Sequence, residues 1–237
     1  MTGVVGATVV RVVVAPVIVI EVVVGPVVRD AVGAVAAPLG ATVRMAASEV
    51  GFNVSLARNI PGGKDGSQAD FEASRTGAKA DYTILRYAVG YSHAFRSEWQ
   101  ARIAVNGQFT RDLLVAGEQY GIGGADSVRG YLPREASSDY GYGTQLEMYT
   151  PNIADNLGMS DKWRSRLVGF YDFGNVYRND PLPGEQAGKY LASTGVGMRL
   201  NYGKGVSLRL DLAQILKAHG TRQTDDLRLN GSLVLVY

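Results

Sequence analysis

Trp99-Gln100-Ala101-Arg102-Ile103-Ala104-Val105-Asn106-Gly107-Gln108-Phe109-Thr110 alternates apolar and polar side chains with a period of two. One face reads Trp99, Ala101, Ile103, Val105, Phe109; the other reads Gln100, Arg102, Asn106, Gln108, Thr110. That period is the signature of a strand whose two faces meet different surroundings. The same pattern runs outward along the chain. In 84–95, Leu85, Tyr87, Val89, Tyr91 and Phe95 oppose Arg86, Gly90 and Ser92. In 205–214, Val206, Leu208, Leu210 and Leu212 oppose Ser207, Arg209 and Asp211. In 227–237, Leu227, Leu229, Leu233, Leu235 and Tyr237 oppose Arg228, Asn230 and Ser232. Weaker runs occupy 140–150, 163–176 and 190–202, and a first strand is expected near 46–58. The expectation is about eight strands from residue 46 onward.

A soluble sandwich alternates too, so alternation alone does not name the solvent. Three further features favour lipid. Runs of about ten residues match a tilted crossing of the hydrocarbon core, whereas soluble strands are about half as long. Aromatics lie near strand ends, where membrane interfaces collect them: Tyr82, Phe95, Trp99, Phe109, Tyr140, Trp163, Tyr190, Tyr202 and Tyr237. The connections alternate in length. Arg96-Ser97-Glu98 and Gly203-Lys204 are tight and 151–161 is moderate, while 59–81, 111–138, 177–189 and 216–226 are long and rich in Gly, Pro and charge. Short turns on one side and long loops on the other define outer-membrane barrels. An even strand count puts the C-terminus on the short-turn, periplasmic side.

Composition narrows the chemistry. The 237 residues include 24 Lys+Arg, 22 Asp+Glu, 2 His, 30 Gly, 13 Tyr and no Cys. The absence of Cys excludes disulfides, thiolate metal sites and cysteine nucleophiles. Two His argue against a histidine-rich metal centre, and a net charge of +2 makes no case for nucleic acid. No cofactor is expected. Mean hydropathy is −0.01, which alternating lipid and lumen faces average to.

Residues 1–45 have another texture, a Val/Ala/Gly/Pro run with Val at more than a third of positions. The stretch Val12–Val28 is apolar but interrupted by Pro16, Glu21 and Pro26. A secretory signal needs a positive start and a cleavage site. Here the first cation is Arg11, and Ala34-Val35-Ala36 is a faint match. The preferred reading is a non-native start, and no function is assigned to it.

Two motifs carry function. The longest loop holds Gly121-Ile122-Gly123-Gly124-Ala125-Asp126-Ser127-Val128-Arg129-Gly130-Tyr131. As a phosphate cradle it is weak, because no Gly-Lys-Ser/Thr follows and neither a parallel strand nor a helix flanks it. The strand after next carries Phe170-Tyr171-Asp172-Phe173-Gly174, with Asp172 on the same face as Arg164 and Arg166. With these motifs the sequence resembles the two-partner secretion transporters of the ShlB/FhaC/HecB/TpsB family, within the BamA-like superfamily. That family has a Val-Arg-Gly-Tyr/Phe loop and a Phe-x-Asp-x-Gly strand, matched at Val128, Arg129, Gly130 and Tyr131 and at Phe170, Asp172 and Gly174. Gln119-Tyr120-Gly121-Ile122-Gly123-Gly124 and Asn179-Asp180-Pro181-Leu182-Pro183-Gly184-Glu185 also look like the family, and the resemblance covers 46–237.

The resemblance implies an all-β, sixteen-stranded transmembrane barrel behind two POTRA domains, with 46–237 supplying its last eight strands. On that reading the POTRA domains and half the barrel are not part of this chain. The long loop folds into the lumen, where its Arg pairs with the strand Asp. The implied task is export of a hemolysin- or adhesin-type exoprotein across the outer membrane of a Gram-negative bacterium. The implied partners are that exoprotein, outer-membrane lipid and the barrel assembly machinery. Other classes remain. Arg129 and Asp172 read without the family are two solvated lumen charges. His93 and His219 lack a nucleophile-elbow context, so no enzyme is expected. Asp225-Asp226 with Asp180 and Glu185 reads as solvated loop rather than a cation site. A small closed eight-stranded barrel, acting as surface antigen or structural protein, is the alternative; its interior would be filled by side chains and leave no room for the loop.

Overall fold

A computed structural model describes residues 8–15, 18–24, 28–29, 35–63, 66–220 and 223–236. Pro16, Pro26, Ala34 and Tyr237, used in reading the sequence, lie outside them. Among the described residues the regular structure is almost entirely antiparallel strand: β1 (Thr8–Ala15), β2 (Ile18–Val24), β3 (Val28–Arg29), β4 (Val35–Arg44), β5 (Ser48–Arg58), β6 (Thr83–Ala94) and β7 (Gln100–Phe109). There follow β8 (Tyr120–Ile122), β9 (Ala136–Ser138), β10 (Tyr140–Tyr149), β11 (Trp163–Tyr177), β12 (Gly188–Tyr202), β13 (Val206–Ile215) and β14 (Leu227–Leu235). Among the described residues one α-helix, α1 (Gln68–Ser74), and a short 3-10 turn at Asp155–Leu157 interrupt the series.

The main sheet runs β1-β2-β4-β5-β6-β7-β10-β11-β12-β13-β14, with β3 also pairing β4. From residue 48 onward it has the eight long strands that alternation predicts. The sheet continues across the change of composition at residue 45, since β4 pairs with β5 from Val35↔Arg58 to Arg44↔Glu49. Both edges of β5 are therefore occupied, by β4 and β6. The closed eight-stranded barrel, which needs β5 against β14, is not what forms.

Register fixes which side chains share a face. Val89↔Val105↔Thr144↔Phe173↔Ala192 is one row across the sheet, and Gly90↔Ala104↔Gln145↔Asp172↔Ser193 is the next, on the opposite face. The first face exposes Phe52, Leu56, Val89, Tyr91, Ile103, Leu167, Val196, Leu212, Leu229 and Leu233, all large and apolar. Apolar side chains fully presented outward over many strands suit hydrocarbon rather than water. Aromatics bound this band at both ends. Trp163 and Tyr202 meet at 4.9 Å near the short turns, while Tyr140 stacks on Tyr177 at 5.2 Å and meets Phe109 at 6.0 Å near the long loops. On β11 the step from Trp163 to Phe173 is about 33 Å of strand, or about 25 Å of height at the usual barrel tilt.

The connections sort as expected. Phe95 N–H donates to Trp99 O at 2.9 Å to close a tight turn, and Gly203 (φ 52°) closes another. The long loops 59–82, 110–139, 178–187 and 216–226 leave the other end. Two carry structure that alternation did not announce. Helix α1 is capped by Ser67, whose side chain accepts from the Asp70 amide while Asp70 accepts from the Ser67 amide. The hairpin β8–β9 pairs Tyr120↔Ser138 and Ile122↔Ala136 inside the longest loop.

We expect the two faces to respond oppositely to charge. Val89→Arg on the apolar face should cost about 2–4 kcal/mol of unfolding free energy in a bilayer, and Ala88→Arg on the other face about 1 kcal/mol or less. Urea titration of the lipid-embedded chain measures both; equal costs would contradict the assignment of faces.

Candidate functional site

The loop 110–139 folds back over the polar face of β10–β13. Its core is apolar: Ile122, Val128, Tyr131 and Ala136 from the loop pack against Val176, Leu191 and Ile215 from the wall. Val128 and Tyr131 thus bracket Arg129 with buried contacts and drive it onto the sheet. Gly130 has φ +95°, and a Cβ there would sit 3.2 Å from Ile215 Cγ1. The position needs both the left-handed backbone and the missing side chain. On the wall, Gly174 leaves room for Ile122, whose Cδ1 lies 3.2 Å from where a Cβ would stand.

Arg129 is completely buried, as is Asp172. Arg129 Nε donates to Asp172 Oδ2 at 2.6 Å and Nη2 to Oδ1 at 2.7 Å, a two-pronged pairing. The Arg129 backbone N–H adds a third bond to Oδ2 at 3.1 Å. Nη1 donates to Glu147 Oε1 at 2.9 Å and lies 3.6 Å from Asp211 Oδ1. The guanidinium carbon rests 3.6 Å above the Phe170 ring centroid, a cation–π contact. The motif residues Phe170, Asp172 and Gly174 therefore act on one face: ring beneath the cation, carboxylate beside it, gap for the loop.

The bracket extends sideways. Glu147 also accepts from Arg102 Nη1 and from Tyr149 Oη, both at 2.8 Å. Asp211 accepts from Arg209 Nε at 2.7 Å and pairs with Arg199 Nη1 at 2.8 Å. That Arg199 nitrogen points its N–H groups at the Met198 and Leu210 carbonyls, 3.2 Å each, so its tie to Asp211 is charge rather than a directed bond. Four cations and three carboxylates thus alternate across the wall. Desolvation pulls the Arg129 pKa down, but the Asp172 hydrogen bonds and the charges of Asp172, Glu147 and Asp211 carry it above its ordinary value. The charge is permanent. Tyr131 donates to the Lys217 carbonyl at 2.5 Å and lies 3.0 Å from that of Ala192; burial raises its pKa, keeping it a neutral donor.

The structure brings together all seven motif residues. It does not bring Arg164 or Arg166 to Asp172, although both share its face; among the described residues the bonds come from Arg129. Sequence reasoning missed Glu147, Asp211 and Arg199, whose only signal was their parity on the inward face of strands. The other candidates stay apart. His93 Nδ1 and Ser48 Oγ lie 2.7 Å apart beside Phe95, with no carboxylate on the ring among the described residues. Asp225 accepts from Gln214 of β13, while Asp226 accepts from the Gln223 amide and Glu185 from the Leu182 amide, each of these two closing its own turn.

An antiparallel sheet with an apolar outer face, and a long loop docked through a buried Arg on its polar face, is the architecture of part of the wall of a membrane β-barrel. The chain belongs to the haemolysin secretion/activation protein family ShlB/FhaC/HecB, whose family model matches residues 32–200. This is a family of transporters, not of enzymes. CdiB from Escherichia coli has a similar fold, with TM-score 0.69 and 14% identity over 95% of this chain and 43% of that one. CdiB from Acinetobacter baumannii gives TM-score 0.56 and 17% identity over 93% of this chain and 42% of that one. The chain thus spans less than half the length of either. Among curated proteins none matches.

Removing one partner of a dry ion pair strands the other. We expect Asp172→Asn to cost about 3–5 kcal/mol in urea unfolding, and Arg129→Met with Asp172→Leu together to cost less than the sum of the singles. Additive costs would mean the pair is not coupled.

Proposed function

We propose that the chain acts in the outer membrane of a Gram-negative bacterium as the transporter of a two-partner secretion system. It supplies the loop-bearing, C-terminal part of the barrel and exports a hemolysin- or adhesin-like exoprotein. Outer-membrane lipid is its solvent, and the barrel assembly machinery inserts it. The observation that carries this reading is the fully buried Arg129 held by Asp172 and Glu147 at the tip of a loop lying on the polar wall.

The physics supports a transport role over a purely structural one. A structural barrel fills its interior with side chains that pack on one another. Here a long loop enters instead, and a permanent charge at its tip gives it one docking point. Charge-assisted, two-pronged bonds set that point in angle as well as distance. The wall left uncovered by the loop, on β5 and on β6 and β7 away from their long-loop ends, is lined by small or polar residues such as Gly51, Asn53, Ala88, Gly90 and Ala104. Such a wall suits passage of an unfolded chain, since it offers little apolar surface to hold it.

The chain and its partner exoprotein, expressed together in a Gram-negative host that lacks such a system, test the reading. Exoprotein should appear in the medium, and Arg129→Ala should abolish export while insertion continues. Exoprotein retained in the periplasm with the unaltered chain, or exported normally by Arg129→Ala, would overturn it.

A further inference from the structure

The lumenal loop is held at its neck as well as its tip. Asp139, the residue just before β10, is completely buried. Its Oδ1 accepts from the Leu114 amide at 3.0 Å, and its Oδ2 from Arg75 Nη2 and the Asn179 amide at 2.9 Å each. Arg75 Nη1 bonds Oδ1 as well and donates to the Leu114 carbonyl at 2.6 Å. The carboxylate's lone-pair sites are thus filled. Asn179 reaches the other side of the neck, its Nδ2 donating to the Thr110 and Asp112 carbonyls at 3.2 and 3.0 Å. Gln108 Nε2 binds the Asp139 carbonyl at 3.1 Å.

Three long loops therefore converge on one carboxylate. Arg75 comes from 59–82, delivered by α1, whose last turn it caps through a bond from its amide to the Phe71 carbonyl. Asn179 comes from 178–187. Leu114 packs with Tyr82, Ile84 and Phe71, which keeps water from the cluster. From Asp139 the chain runs straight back into the β8–β9 ladder, and the ladder leads to Val128–Tyr131, packed on Ile122 and Ala136.

We propose that Asp139, gripped by Arg75 and Asn179, is a positioning residue for the transport site: it fixes the neck so that the ladder aims Arg129 at Asp172. This rests on the reading of the loop as the working element of the transporter. A purely local clasp would tie the outer loops together and leave the tip indifferent. The two differ at the Arg129 amide, which donates to Asp172 Oδ2 at 3.1 Å, far along the chain from the neck.

Hydrogen exchange of the full chain in lipid bilayers tests this. Arg75→Gln and Asp139→Asn should each speed exchange of the Arg129 amide at least tenfold, with the Val168 amide on β11 unchanged. Arg75→Lys, which keeps the charge but not the fork, should fall between. An unchanged Arg129 amide, with Leu114 and Asn179 exchanging faster, would overturn the proposal. If Asp139→Asn does not insert, Arg75→Gln, whose side chain is 15% exposed, decides alone. The reading needs no exoprotein, so failure of export by the unaltered chain would refute the transport role without touching this result.

Discussion

A guanidinium with no access to water governs the arrangement of this protein. Arg129 can be buried only because Asp172 meets it with two parallel bonds, Glu147 takes a third N–H, and Phe170 covers its flat face. An isolated charge in the same place would be prohibitively costly. Everything that makes the pocket, including the register of β10 against β11 and the glycine that turns the loop, is constrained by that one cation. The converse also holds: with the cation removed, Asp172 loses the guanidinium that bonds it, while Glu147 and Asp211 keep Arg102, Arg199 and Arg209.

The sheet supplies the wall and the solvent contrast. Its period-two alternation sends leucines and aromatics to one face and polar residues to the other, and the loop packs on the β10–β13 side of the polar face and reaches the long-loop ends of β6 and β7 through Glu118 and Tyr120. One side of the polar face is thus packed and charged, while the other is open and lined with small residues.

The strands from residue 48, their tight and long connections and the aromatic bands were legible because each is a local property of the chain. Arg129 and Asp172 were legible only through the linked motifs; without them, two charges so far apart in sequence carry no sign of contact. Glu147 and Asp211 were not legible. They sit on strands among other polar residues, and their height relative to Arg129 follows from register, which no single strand encodes. Asp139 is one ordinary acid beside a strand until three loops are seen to meet on it. The strands in 8–44 were hidden for a different reason, since a run of valine has no alternation to read. Helix α1 left only the Ser67-x-x-Asp70 capping pattern.

The central claim is that in the membrane the loop lies docked with its Arg on the wall. Nitrogen NMR of the arginine side chains in the bilayer-embedded chain tests it most directly. The account predicts a guanidinium, assigned to Arg129, with slow Nε–H exchange and hindered Nη rotation, both lost in Asp172→Asn. An Arg129 side chain exchanging at the solvent rate in the unaltered protein would contradict it.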